Sequence, residues 1–153
     1  MATLNNDIKK CSKWIVMAFS EDKFSLNYTI DSFKIIDKFF DLHSNNGKAI
    51  ERGRLASNLG STLFSIGSYI GETLLKSVPG AKWVIDEDDS DAEINVAVKL
   101  PNGEIVWPVQ RAIKRFKNGK EDSIFDYGTV LTKDYGTSIK NNKSRWWSFG
   151  KKR

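Results

Sequence analysis

The chain has 153 residues, 40% hydrophobic and 28% charged, with one Cys and one His. That length is enough to bury the core of one domain. A single Cys excludes a disulfide framework, and one Cys with one His excludes a zinc site built from those residue types alone. The net charge of +5 is unevenly distributed: residues 1–132 carry 17 basic and 18 acidic side chains, whereas residues 133–153 carry seven basic side chains against Asp134 alone. The body is therefore near neutral, and the excess sits at the C-terminal end. A uniformly basic docking face for phosphates is not expected on such a body.

Ile8, Cys11, Ile15 and Phe19 recur at helical spacing and predict an amphipathic helix over about 5–20. Phe33, Ile36 and Phe40 repeat the pattern, with Thr29 or Asp31 as N-cap, and Gly47 reads as the stop of this second helix. A third helix is expected over about 49–77, with Leu55, Leu59, Leu63, Ile66, Ile70 and Leu74 in one stripe. Gly60, Phe64, Gly67, Gly71 and Leu75 lie beside that stripe. Each interior glycine costs roughly 1 kcal/mol against Ala, so three on one line imply close approach of another backbone. The third face is rich in Ser rather than Lys and Glu, which predicts that it is partly covered. Residues 55–75 hold one charge but too many polar groups for a membrane span. With no secretory signal evident at the N-terminus, a soluble cytoplasmic protein is the expectation.

After Pro79-Gly80 the period changes to two. Strands are expected at 82–85, 93–100 and 105–107, with Asn102-Gly103 as a type I′ turn closing a meander. Val109–Lys117 reads as a short helix with Arg111, Lys114 and Arg115 outward, stopped at Gly119. One more helical turn is expected at 122–127, then a short strand at 128–132. The fold class is α+β: N-terminal helices on a small antiparallel meander, then a short helix. The domain is read as 1–133, and 134–153 as a mobile basic tail.

No catalytic constellation, metal site or cofactor motif emerges. The run Asp86-Glu87-Asp88-Asp89-Ser90-Asp91-Ala92-Glu93 has Asp91 and Ala97 where an EF-hand loop requires Gly and Glu. It reads as a solvated acidic hairpin loop that also attracts the chain's own basic tail, or as a binding site that meets a basic toxin surface. His43 has a structural reason at a helix C-terminus, where a cation is favoured. Glu72, beside Tyr69 on the third helix, is either a shielded carboxylate that grips a cationic group or an internal ion-pair partner of Lys82 or Arg111. In the tail, Lys143, Arg145, Trp146, Trp147, Lys151, Lys152 and Arg153 combine aromatic and basic groups. This suits a single-stranded nucleic acid or an anionic membrane, or else Trp146, Trp147 and Phe149 fold back onto the body or meet a protein partner.

Gly67-Ser-Tyr69-Ile-Gly71-Glu72, then Gly80-Ala-Lys-Trp83, then Pro108 and the basic helix ending at Gly119 together resemble a class of small bacterial domains of unknown function, over residues 50–127. The resemblance implies an accessory or immunity-type partner of a toxin and supplies no catalytic residues. The expected function is non-enzymatic protein binding through Asp86, Glu87, Asp88, Asp89, Asp91, Glu72 and Tyr69. The alternative is nucleic-acid or membrane-surface attachment through the tail.

Overall fold

The computed structural model describes residues 3–135 and has an α+β architecture. Helix α1 (Leu4–Glu21) is capped by Thr3, whose side chain accepts from the Asn6 amide. Its buried line is Leu4, Ile8, Ser12, Ile15 and Phe19. Ser12 thus occupies the place expected for Cys11, with its hydroxyl 2.8 Å from that of Tyr28. A 3-10 turn (Ile30–Ser32) leads into α2 (Phe33–His43).

The sequence predicts a glycine stop at Gly47, but the chain turns there instead. Strands β1 (Ser44–Asn45) and β2 (Lys48–Ala49) form a two-stranded antiparallel hairpin. Asn46 and Gly47 both have positive φ, the geometry of a type I′ turn. Helix α3 (Leu59–Ser77) begins ten residues later than its periodicity predicts. Residues 50–58 form successive turns closed by Gly53 N–H on the Ile50 carbonyl and Ala56 N–H on the Gly53 carbonyl. Leu55 is buried as its stripe demands, but it enters the core from a turn.

Strands β3 (Lys82–Val84), β4 (Ala97–Lys99) and β5 (Ile105–Val106) form the antiparallel meander in the order β3-β4-β5. The strand expected over 93–100 is shortened, because Ala92–Asn95 form one helical turn (α4) with the Ile94 and Asn95 amides on the Asp91 carbonyl. The β4–β5 turn is not type I′: only Gly103 has positive φ, and its amide bonds the Leu100 carbonyl across Pro101-Asn102. Helix α5 (Pro108–Asn118) leads through a 3-10 turn (Gly119–Asp122) into α6, residues 124–135. The strand expected at 128–132 is therefore helical, as are residues 134 and 135. The remaining tail positions, including all the basic and aromatic tail candidates from Lys143 to Arg153, lie outside the described residues.

One main core cluster joins α1, α2, α3, β4, β5, α5 and α6, through Ile15, Phe33, Phe40, Ile70, Val98, Val106, Phe116 and Ile124 among others. Helix α3 lies at its centre, and its Ser face is partly covered, with Ser65 and Ser68 buried and Ser61 exposed. The close approach expected along the glycine line holds at two of its three positions. A Cβ on Gly67 would fall 2.5 Å from the Val109 Cα, so α5 approaches there backbone to backbone. A Cβ on Gly71 would fall 2.0 Å from the Trp83 ring, so an indole fills that groove. Beside Gly60 there is nothing within 4 Å.

Arg115, expected outward, is only 3% exposed. Its Nε donates to Asp37 Oδ1 at 2.9 Å, and its Nη2 donates to Asp41 Oδ1 at 2.8 Å. The α5 burial line of Val109, Ala112, Arg115 and Phe116 places it inward by helical geometry. The Asp37 carboxylate also accepts from the Ser123 hydroxyl and from the Ile124 and Phe125 amides, so it caps the first turn of α6 from another helix.

Two stability outcomes follow. Gly71→Ala should cost about 1–3 kcal/mol by displacing Trp83, whereas Gly60→Ala should gain up to about 1 kcal/mol, both read from urea unfolding midpoints. Asp37→Ala should cost about 3–5 kcal/mol by leaving Arg115 buried with its main partner lost. In a double-mutant cycle, adding Arg115→Ala should cost far less than in the wild-type background.

Candidate functional site

The two candidates on α3 are both engaged within the fold. Tyr69 is completely buried, because its hydroxyl accepts the Tyr28 amide at 2.7 Å and pairs with the Ser32 hydroxyl at 2.6 Å. Burial pushes its phenol pKa up, so the proton needed for this bridge stays on. Tyr69 therefore pins the 22–32 segment to α3 and offers nothing to a partner. Glu72 accepts the Trp83 indole N–H at 2.8 Å and sits 3.8 Å from the Lys9 ammonium. Its ion-pair partner is thus Lys9 rather than Lys82 or Arg111; Arg111 instead pairs with Asp122. The Gly71-Glu72 pair makes a seat for Trp83, with space for the ring and an acceptor for its nitrogen.

The acidic loop is more ordered than a solvated run suggests. The Glu87 carboxylate accepts the Leu4 amide at 3.2 and 3.3 Å, placing a negative charge at the N-terminus of α1. Asp86 accepts the Asp88 amide, and Asp89 accepts both the Asp91 amide and the Asn95 side-chain amide. The Asn95 bond, followed by the Asp91 amide, holds the Asp89 carboxyl below its usual pKa. Glu87 and Asp89 are thus occupied within the fold. Asp86, Asp88, Asp91 and Glu93 are exposed.

Exposed Val84 precedes this loop and exposed Ile94 follows it. The register Val84↔Ala97 and Lys99↔Ile105 puts Lys82, Val84, Ala97, Lys99 and Ile105 on the outer face of the sheet. Trp107, one residue beyond β5, extends that face by alternation and is also exposed. The outer face therefore presents Val84, Ile105 and Trp107 beside exposed Lys82 and Lys99, with the acidic loop leaving from the Val84 end. The signal available in the sequence was alternation itself: Val84, Ile105 and Trp107 occupy outward positions that a solvated sheet face fills with polar residues.

A second cluster lies between α1, the end of α2 and the 50–58 turns, around a groove of about 510 Å³. Arg54 makes a two-point ion pair with Asp22, Nε to Oδ2 at 2.8 Å and Nη2 to Oδ1. The Arg54 amide donates to His43 Nδ1 at 3.1 Å. His43 does end α2, but burial pushes its pKa down and the Arg54 charge adds to this, opposed by Asp22. The helix-end argument for a cation there is overruled by desolvation, so the neutral ring accepts a hydrogen bond. Among the described residues, no group of three or more His, Cys, Asp or Glu side chains converges as a metal site. None of the described helices is long and apolar enough to cross a membrane.

The fold and surfaces define an α+β domain built around one buried helix, with chemistry-bearing residues used mainly for packing. The family model described as "Domain of unknown function (DUF3806)" matches residues 46–127, more than half of the chain, and the chain belongs to that family. No curated protein and no solved structure matches it. The matched segment starts inside the β1–β2 hairpin and leaves α1 and α2 outside.

Because the folded-state pKa of His43 lies below its unfolded value near 6.5, the unfolded chain takes the proton first as pH falls. Stability should be full above about pH 6.5 and decline below it. His43→Asn keeps an acceptor for the Arg54 amide and should flatten this decline in unfolding curves measured between about pH 7 and 5.

Proposed function

We propose that the chain is a non-enzymatic protein-binding module of a bacterial cytoplasm, and that it neutralises a toxin by covering a basic surface on it. The observation that carries this reading is the acidic loop bracketed by exposed Val84 and Ile94, continuous with the outer sheet face that bears Ile105 and Trp107. Its partner is a protein with an apolar centre and basic surroundings. Asp86, Asp88, Asp91 and Glu93 supply the complementary charge that steers encounter, and Trp107 supplies the apolar anchor. The loop is held in shape by Glu87 and Asp89, so little ordering entropy opposes docking.

The experiment is calorimetric titration of the full chain with the purified product of the adjacent gene, since immunity proteins are encoded beside their toxins. Trp107→Ala should weaken binding by about 2 kcal/mol or more, roughly thirtyfold. Asp86→Asn, Asp88→Asn and Asp91→Asn together should slow association and reduce its salt dependence. Absence of binding overturns the toxin reading. Binding left unchanged by both sets of substitutions overturns this surface.

A further inference from the structure

The groove beside His43 takes no part in the sheet surface, and its two walls differ in chemistry. On the α1 wall, Trp14 is 52% and Met17 66% exposed, over a floor that includes buried Phe19 and Phe39. Trp14 and Met17 are three residues apart on one helix, so they are neighbours on its surface and form a contiguous apolar wall. The opposite wall carries donors. Asp22 is already satisfied by the two-point bond from Arg54, with Glu21 also acting on that guanidinium. Arg52, also lining the groove, makes no hydrogen bond or ion pair with any other described residue. Its backbone is held at φ 66, in the left-handed region for a non-glycine residue. Because His43 Nδ1 accepts the Arg54 amide, the neutral ring carries its proton on Nε2 as a donor.

We infer that this groove binds a small carboxylate with a flat apolar body. The body lies against Trp14 and Met17, and the carboxylate is held by the Arg52 guanidinium with His43 as a second donor. The volume of about 510 Å³ falls within the range of small-molecule sites, roughly 300–1,000 Å³. A carboxylate is favoured over a cation because Asp22 is already taken by the two-point bond from Arg54, while the planar donor fork of Arg52 has no acceptor among the described residues. This inference is independent of the sheet-face reading, and neither fails with the other.

The test uses the full chain, its backbone amides followed by NMR, with indole-3-acetate as the probe. Indole-3-acetamide and tryptamine share the ring but lack the charge or reverse it. Indole-3-acetate should give saturable shifts confined to the groove, and the amide should bind at least about tenfold more weakly. Arg52→Gln removes an exposed, unpaired charge and should weaken binding by a similar factor without altering the unfolding midpoint. Trp14→Ala should also weaken it, whereas Trp107→Ala on the other surface should not. Absence of saturable shifts up to about 5 mM overturns the inference. So does binding of the amide or tryptamine as tight as that of the acid, or an unchanged affinity in Arg52→Gln.

Discussion

Helix α3 is surrounded by other elements, and the fold depends on how each of them is admitted. A helix enclosed in this way has to meet each neighbour at a different depth, and its side-chain sizes set those depths. Gly67 brings the α5 backbone in at Val109. Gly71 clears room for the Trp83 ring, and Glu72 accepts its nitrogen. Tyr69 reaches the 22–32 segment through its hydroxyl. Ser65 and Ser68 keep the remaining side thin enough to be covered. One short stretch of α3 thus positions a sheet, a helix and a loop.

The residues that carry the resemblance to a family of unknown function are these same packing residues. Gly67, Tyr69, Gly71, Glu72 and Trp83 are all engaged with one another or with neighbouring elements. Residues spent on packing specify an architecture and leave the activity open. Function has to be sought in what the scaffold does not consume, namely the exposed carboxylates and apolar groups of the sheet surface and the groove beside His43.

The Asp37–Arg115 pair is the second organising contact, and it crosses the edge of the family match. Asp37 lies on α2, outside residues 46–127, while Arg115 and the capped amides of Ile124 and Phe125 lie within. Burying two charges is costly, and the extra hydrogen bonds on both partners offset that cost. The matched segment therefore closes its C-terminal part with help from a helix that precedes it. Helix α1 is tied to the matched segment as well: Glu87 accepts the Leu4 amide, and Lys9 meets Glu72 on α3.

Much was legible in the sequence because much of it is local. Helical spacing in α1, α2 and α5, the buried line of α3, the change of period after Gly80 and the three-stranded meander are all set by which side chains alternate or recur. Proline and glycine placement marked the turns, although Asn102-Gly103 closes its hairpin with one left-handed residue rather than two. Tertiary contacts decided the rest. Residues 50–58 leave the helix because Arg52 and Asn58 adopt left-handed conformations that helical periodicity does not register. Residues 128–132 are helical because Asp37, far away in sequence, caps the helix that contains them, and Gly128 lies against the Phe33 ring. Arg115 is buried because two acidic groups on α2 wait for it, and Tyr69 because Tyr28 and Ser32 do. Periodicity reports the face on which a residue lies; only the partner across the core determines whether a polar group on that face is buried.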